Sequence, residues 1–226
     1  MSILLLDIEG TVCPITFVKD ELFPYFLRQY KTYLEPLDFP LVKNKNSLSE
    51  VLLGFPTEVL QTKELLEAHI DNLVKNDIKD PTLKAFQGTV WKLGYDKGDL
   101  KAPLYEDAIE LLNSGKKIYI YSSGSVPAQK LLFSHVNVNG KLEDLTPKLL
   151  GYFDITTSGF KQEKNSYINI AKDIGCQPND IIFYSDNVQE VSAALEAGMD
   201  AVVVVRPGNA ALTDHDRATC QCIDHF

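Results

Sequence analysis

Short apolar runs predict five β-strands in this chain. They lie at residues 3–6, 117–121, 153–157, 181–184 and 201–205, and are rich in β-branched and aromatic residues. They lack the apolar–polar alternation of a half-exposed antiparallel sheet. This pattern is typical of parallel strands that are covered on both faces.

Helix-length segments separate the later strands. They cover residues 103–113, 127–133, 164–174 and 189–197, and the last two end just before Gly175 and Gly198. A glycine directly after a helix is a common C-terminal signal, because it adopts the left-handed conformation at no steric cost. Strands that alternate with helices predict an α/β fold with a doubly wound parallel sheet from about residue 101 onward.

The segment between the first strand and residue 100 has a different pattern. Apolar residues recur with helical spacing at 18–33, 63–75 and 82–93, and a polar, proline-containing stretch covers 34–49. This segment therefore reads as a helical insertion without strands.

The insertion defines the predicted domain organisation. Because the first strand is too short to fold alone, it must pair with the sheet of the C-terminal half. We therefore predict an α/β core formed by residues 1–15 and 101–226, and a helical cap formed by residues 16–100.

Composition and charge exclude several classes of protein. The chain has 226 residues, of which 45% are hydrophobic and 23% charged, as in an ordinary globular protein. With 22 basic and 31 acidic residues its net charge is −9, which argues against a nucleic-acid partner. No apolar run reaches the roughly 18 residues of a membrane helix, so we expect no membrane partner.

The four cysteines, at positions 13, 176, 220 and 222, show no zinc-ligand spacing. Few thiols and the lack of a recognisable signal segment predict a reducing compartment and a cytoplasmic location, with a nuclear fraction left open. No heptad pattern calls for an oligomer, so we expect a monomer.

Two acidic residues follow directly on the first strand. Asp7 and Glu9 are two positions apart, so in an extended segment both face the same way, and Gly10 allows a sharp turn after them. Open α/β sheets bind ligands at this end of their strands. Neighbouring carboxylates repel one another unless a cation lies near, and Mg²⁺ with a phosphate would explain the pair. Taken alone, the pair is equally well interpreted as a solvated acidic turn.

Two further strand ends carry groups suited to an anion. Ser122 and Ser123 follow the second strand and precede a predicted helix, so hydroxyl and N–H groups would converge there, although such serines are also ordinary caps. Lys161 comes soon after the third strand. A single lysine is usually a solvated surface charge, and Lys164 is a rival for the same role.

The fourth strand is followed by an acidic helix start. Asp186 and Asn187 come directly after it, and Glu190 lies one helical turn further on. As isolated residues they are typical of a helix N-cap and a first-turn acid. The combination favours a functional site, because an acid pair, a hydroxyl, a lysine and a further acid each follow a different strand at one edge of one sheet.

This ordered set resembles the four motifs of the haloacid dehalogenase superfamily. The first motif is an acidic pair, which corresponds here to Asp7 and Glu9. The second, third and fourth motifs correspond to Ser122, Lys161 and Asp186. The resemblance extends over nearly the whole chain. It implies that superfamily's α/β core, with the helical insertion as its cap.

Further segments resemble one family of that superfamily, the enolase-phosphatase E1 (acireductone synthase) family of methionine salvage. They are residues 7–11, the stretch around Gln87, Gly88 and Trp91, residues 121–125 and residues 203–209. A glutamate two residues after the nucleophile, here Glu9, is a feature of that family. The resemblance implies conversion of 2,3-diketo-5-methylthiopentyl-1-phosphate to the acireductone 1,2-dihydroxy-3-keto-5-methylthiopentene.

The same resemblance implies roles for the motif residues. Asp7 would be the nucleophile that forms an aspartyl-phosphate, and Glu9 the acid and then the base for the leaving oxygen and the attacking water. Mg²⁺ would be held by the Asp7 and Asp186 carboxylates and the main-chain oxygen of Glu9. The phosphate would be held by Ser122, the N–H groups around Ser123, and Lys161.

Several alternatives stay open. The motifs do not encode the leaving group, so the enzyme could be a phosphatase of another small phosphomonoester. A non-catalytic Mg²⁺-binding phospho-acceptor module is a second alternative, because it needs similar residues. A metal-free dehalogenase is a weaker alternative, because it leaves the acids without a cation. The base for enolisation is Glu9, a metal-bound water or a cap residue. Phe86, Trp91 and Tyr95 are candidate pocket residues of the cap, but their helical spacing favours a role in its own core.

Overall fold

The computed structural model describes residues 2–43 and 47–226, so the stretch that we predict at 34–49 lies partly outside the described residues. The chain divides into two compact units. The sheet unit contains the residues up to Val18 together with Lys101–Phe226, and the helical unit is Lys19–Leu100. The first boundary thus falls after residue 18, whereas we predict it after residue 15.

The described strands all belong to the sheet unit. They are β1 (Ile3–Leu6), β2 (Ile118–Tyr121), β3 (Val136–Val138), β4 (Lys141–Glu143), β5 (Gly151–Phe153), β6 (Ile181–Ser185), β7 (Asp200–Val204) and β8 (Cys222–Ile223). Strands β3 and β4 form an antiparallel hairpin. The others form one parallel sheet in the order β5-β2-β1-β6-β7-β8.

Helices connect these strands and make up the helical unit. The helical unit contains α1 (Phe23–Leu34), α2 (Ser47–Leu52), α3 (Lys63–Lys75) and α4 (Pro81–Lys97), and the sheet unit contains α5 (Glu106–Leu112), α6 (Val126–Phe133), α7 (Lys164–Ile174), α8 (Val188–Glu196) and α9 (Asp214–Thr219). A π-helical turn, Val18–Leu22, precedes α1, and 3₁₀ turns lie at Thr146–Lys148 and Pro178–Asp180. The predicted α/β fold with a parallel sheet is confirmed.

The third predicted strand is wrong over most of its length. We predict it at 153–157, whereas β5 ends at Phe153. The Asp154 carboxylate accepts hydrogen bonds from the Thr156 and Thr157 N–H groups, both at 2.9 Å. This side-chain turn competes with strand pairing and ends the strand. The short elements α2, α9, β3, β4 and β8 were not predicted, because segments of two to six residues carry little periodic signal.

Aromatic side chains fill the core of the helical unit. Phe86 is fully buried, and its ring centroid lies 5.4 Å from that of Phe26. Tyr95 is also buried, and the Trp91 Nε1 donates to the Leu22 carbonyl at 2.8 Å. These contacts support the core interpretation of Phe86, Trp91 and Tyr95. Among the described residues, no helix is long and apolar enough to cross a membrane.

A buried arginine joins three segments of the sheet unit. Arg206, in the loop after β7, packs against the Tyr105 and Phe226 rings. Its Nη2 donates to both carboxylate oxygens of Asp107, at 3.0 and 2.8 Å, and its Nε donates to the Thr11 carbonyl at 3.2 Å. The pair therefore connects the start of α5 and the turn after β1 to the loop after β7.

We expect the Asp107→Asn variant to lose about 3 kcal/mol of unfolding free energy near neutral pH, because Arg206 keeps a buried charge without a counter-charge. Burial alone would raise the pKa of Asp107, but hydrogen bonds from Arg206 and the Phe226 N–H hold this pKa below its usual value. Such a carboxyl stabilises the fold above its unfolded pKa of about 4, and this stabilisation disappears as the pH falls through the folded-state pKa. Urea unfolding at several pH values should show the difference between parent and variant narrowing below about pH 4. A difference that stays constant would contradict this assignment.

Candidate active site

Three of the predicted site residues lie at the carboxyl ends of adjacent strands. Asp7 follows β1, Ser122 follows β2 and Asp186 follows β6. Strand β1 lies between β2 and β6, and Leu6 is in register with Tyr184. Because the strand order changes direction between β1 and β6, this edge is the switch point at which open α/β sheets bind ligands.

Lys161 is buried beside the Asp7 carboxylate. Its Nζ lies 2.7 Å from Asp7 Oδ1 and 2.6 Å from Glu190 Oε2. The Ser185 hydroxyl lies 2.8 Å from the same Glu190 oxygen and 3.3 Å from Asp7 Oδ2. Burial would lower the pKa of Lys161, but the Asp7 and Glu190 charges raise it above its ordinary value, so the ammonium stays charged. Lys164 is exposed at the start of α7, and the structure therefore places Lys161 at Asp7.

Three hydroxyl groups fix the backbone that carries Lys161. The carbonyl oxygens of residues 159, 160 and 161 accept hydrogen bonds from Tyr121, Ser166 and Tyr167, at 2.7, 2.7 and 2.6 Å respectively. All three donors are buried. The position of the ammonium group is thus set by a rigid main chain and not only by its ion pairs.

Gly10 brings the turn after β1 close to Asp186. Its φ is 73°, a left-handed conformation that side chains disfavour. A Cβ placed on Gly10 would lie 2.6 Å from Asp186 Oδ2, which is closer than any real contact. The absence of a side chain therefore lets the Asp186 carboxylate approach the backbone beside Glu9.

The carboxyl groups around Asp7 carry surplus negative charge. Burial, together with the Asp7 and Glu190 charges, raises the pKa of Asp186 to about 7. Burial and Asp7 also raise the pKa of Glu9 and of Glu190, although Lys161 opposes both shifts. Asp186 has no ion pair with any residue in the described part of the chain. These groups need a further positive charge to be ionised together.

The loop from β2 to α6 offers a narrower anion site than we predict. Ser122 is buried, and its Oγ accepts a hydrogen bond from the Gly124 N–H at 3.3 Å, whereas Ser123 is exposed. The Val126 N–H at the start of α6 donates to Asp154 Oδ2 at 2.9 Å. This N–H group is therefore already hydrogen-bonded to a carboxylate. The start of α6 cannot offer all of its N–H groups to a phosphate.

Comparisons with known proteins show the family of this chain. The family model of haloacid dehalogenase-like hydrolases matches residues 1–198. An enolase-phosphatase E1 of Clavispora lusitaniae is 66% identical over 226 residues, with 100% of this chain and 99% of the relative covered. One of Candida albicans strain SC5314 is 46% identical over 239 residues, with 98% and 90% covered. This chain belongs to the enolase-phosphatase E1 family of haloacid dehalogenase-like hydrolases.

Two solved structures share the fold of this chain. The crystal structure of the UTR4 protein of Saccharomyces cerevisiae superposes with a TM-score of 0.88 at 44% identity, and the match covers 100% of this chain and 98% of that one. CbbY of Rhodobacter sphaeroides, in complex with phosphate, gives a TM-score of 0.58 at 13% identity, with 100% and 95% covered. The second likeness concerns the fold alone.

Phosphatases of the superfamily to which the E1 family belongs generally use Mg²⁺, and the donor set here fits that ion. Carboxylates at Asp7 and Asp186 and a main-chain oxygen at Glu9 are the hard oxygen ligands that Mg²⁺ prefers. No group of three or more histidine, cysteine or acidic side chains within residues 2–43 and 47–226 is arranged as a metal site, but the predicted set needs only two side chains. Burial and the neighbouring carboxylates raise the pKa of Asp186, and a cation bound beside it would favour the ionised carboxylate.

Sequence reasoning missed three side chains at this E1-family site. It gave Glu190 only a helix-start role, although Glu190 lies in the first turn of α8, close to the strand end that carries Asp186, and there it reaches Lys161. It treated Asp154 as part of a strand, although the threonines that follow are a turn signal. Ser185, inside β6, carried no signal of its own.

Gly10 provides a direct test of this geometry. We expect Gly10→Ala to lower the unfolding free energy by about 2 kcal/mol or more, because the variant must strain its backbone and displace Asp186. Gly88→Ala is the matched control, since no atom lies within 4 Å of an added Cβ on helix α4, and a gain of up to about 1 kcal/mol is expected there. Thermal unfolding measures both, and equal unfolding temperatures for the two variants would show that Gly10 is not constrained.

Proposed function

We propose that this enzyme converts 2,3-diketo-5-methylthiopentyl-1-phosphate to the acireductone 1,2-dihydroxy-3-keto-5-methylthiopentene in methionine salvage. The observation that carries the proposal is the buried Asp7–Lys161 pair with Glu9 two residues after Asp7, in a chain 66% identical to an enolase-phosphatase E1. The reaction has two parts, enolisation of the diketone and removal of the phosphate.

Phosphate removal begins at Asp7. A carboxylate oxygen of Asp7 attacks phosphorus, and the bond from phosphorus to the enol oxygen breaks, which gives an aspartyl-phosphate. Glu9 gives its proton to the leaving oxygen. The Glu9 carboxylate then removes a proton from the water that attacks the aspartyl-phosphate, and this step releases phosphate and restores Asp7.

Positive charge must balance the phosphate before a carboxylate can attack it. Lys161 supplies a fixed ammonium that already contacts Asp7, and we propose that it also contacts a phosphate oxygen, with Ser122 and the Ser123 N–H on the remaining oxygens. The Asp7 and Asp186 carboxylates and the Glu9 main-chain oxygen would hold Mg²⁺. When bound, that ion neutralises charge on the phosphoryl group and aligns it with Asp7.

Enolisation precedes phosphate removal and makes the oxygen on phosphorus a better leaving group. An enol oxygen is more acidic than a simple alcohol, so its bond to phosphorus breaks more easily, and the neighbouring carbonyls make the carbon-bound proton removable. Glu9 is the nearest titratable side chain on the turn that carries the nucleophile, and we propose it as the base. A water on the metal and a residue of the helical unit are the competing bases.

We also propose that the enzyme works as a monomer in the cytoplasm. All four cysteines are free, which suits a reducing compartment. The net charge of −9 disfavours nucleic acid as a partner.

A substrate panel tests the proposed reaction. The purified protein with Mg²⁺ should release phosphate from the diketone phosphate with a kcat/KM at least about 100-fold above that for common sugar phosphates, because two adjacent carbonyls make the enol leaving group easier to form. Asp7→Asn should abolish turnover with an unchanged circular dichroism spectrum. Equal rates across the panel would point instead to another small phosphomonoester, and undiminished turnover by Asp7→Asn would exclude the aspartyl-phosphate.

Two neighbouring lysines allow a matched test of the phosphate contact. Lys161→Met should lower phosphatase kcat/KM by about 100-fold or more, since it removes the charge that faces the phosphoryl oxygens. Lys164→Met changes an exposed lysine three residues away and should stay within about twofold of the parent, because surface charges act weakly. A larger loss in Lys164→Met than in Lys161→Met would reverse the assignment.

A further inference from the structure

An asparagine from a distant loop reaches the turn that carries Asp7 and Glu9. Asn209, five residues beyond the end of β7, donates through Nδ2 to the Gly10 carbonyl at 2.9 Å and to the Val204 carbonyl at 3.2 Å. Because both partners are carbonyl oxygens, the amide nitrogen must face them. The orientation of the Asn209 side chain is therefore fixed.

Hydrogen bonds fix the two peptide units that follow Glu9. The Gly10 N–H donates to the Cys13 carbonyl at 2.7 Å, so in a trans peptide the Glu9 carbonyl points the opposite way. In the next peptide unit, the Thr11 N–H donates to the Ile8 carbonyl at 3.2 Å while the Gly10 carbonyl accepts from Asn209. The side chain of Asn209 thus holds the peptide unit adjacent to the predicted main-chain metal ligand.

The hydrogen bond from Asn209 restrains a glycine, whose backbone rotates more freely than that of any other residue. A Cβ on Gly10 would lie 2.6 Å from Asp186 Oδ2 and 2.8 Å from Asn209 Oδ1. Asn209 and Asp186 therefore flank Gly10 on the same side. A rotation of the Gly10 peptide would displace both the Glu9 carbonyl and the Asp186 carboxylate.

The second polar atom of Asn209 points to a ligand. Its Oδ1 is buried and has no hydrogen-bond partner among the residues that the structure describes. Buried acceptors in native proteins nearly always have a donor, and one without a protein partner commonly marks a water or an ion. This acceptor lies beside the carboxylate that we assign to the metal.

We infer that Asn209 is a positioning residue for the Mg²⁺ site. It holds the Gly10 peptide so that the Glu9 carbonyl and the Asp186 carboxylate stay aligned, and its free Oδ1 offers an acceptor to water around the ion. The inference rests on the proposed function for the metal and goes beyond it by assigning a residue outside the four motifs.

The test measures metal binding without substrate. Metal-free protein is titrated with Mn²⁺, and the free ion is followed by electron paramagnetic resonance. Asn209→Ala should raise the Kd for Mn²⁺ about tenfold, in the range found when residues that orient metal ligands are changed. Asn113→Ala is the matched control, since its Nδ2 also donates to a main-chain carbonyl, that of Ile109 at 3.0 Å, at the exposed end of α5. Its Kd should match that of the parent.

Turnover and thermal unfolding separate positioning from a structural role. Excess Mg²⁺ should restore the kcat of Asn209→Ala to within about threefold of the parent, because the reacting groups are intact. If the Kd of Asn209→Ala stays within twofold of the parent while its unfolding temperature falls, the inference is overturned. Asn209→Ser, which keeps a polar side chain too short to reach Gly10, takes the place of Asn209→Ala if that variant does not fold, and the same Kd criterion applies.

The parent protein distinguishes this inference from the proposed function. If the parent binds Mn²⁺ and Asn209→Ala weakens binding, the inference holds even where the diketone phosphate is not turned over. If the parent does not bind Mn²⁺ at all, the metal site and this inference both fail.

Discussion

The buried contact between the Lys161 ammonium and the Asp7 carboxylate places a positive charge beside the proposed nucleophile at the edge of this sheet. Taking such charges out of water costs several kcal/mol per ion, and this cost is tolerated only when partners are close and well oriented. Asp7 is fixed by the centre of the sheet, and Lys161 by three hydroxyl groups that hold its backbone. Glu190 completes the pairing on the other side of the ammonium. The chain thus holds a positive charge beside a carboxylate before any substrate arrives, as attack on a phosphoryl group requires.

Surplus negative charge is the second constraint at this edge. Lys161 is paired with Asp7 and Glu190, whereas Asp186 lies against the Gly10 backbone with a raised pKa. An arrangement that gathers carboxylates around one ammonium is unfavourable by itself and becomes favourable with a divalent cation. The same electrostatics therefore explain the buried lysine and support the proposed Mg²⁺.

Patterns that are local in the chain predicted most of the fold and much of the site. Apolar runs located the central strands, and polar residues that follow them gave Asp7, Ser122, Lys161 and Asp186 as candidates, of which the structure brings Asp7 and Lys161 into contact. The choice between Lys161 and Lys164 required coordinates, because both follow the same strand and only packing decides which one is buried. The contact of Asn209 with Gly10 could not be predicted in this way, because Asn209 lies in a loop five residues beyond β7 and the strand pattern does not position such a loop.

A crystal structure with Mg²⁺ and tungstate, as a mimic of phosphate, would show whether a metal ion and an oxyanion bind together at this edge of the sheet. We expect one ion bound by the Asp7 and Asp186 carboxylates and the Glu9 main-chain oxygen, with tungstate beside Ser122 and the Lys161 ammonium. An ion that Asp7 and Asp186 do not share, or a Lys161 side chain turned away from the bound oxyanion, would contradict this expectation.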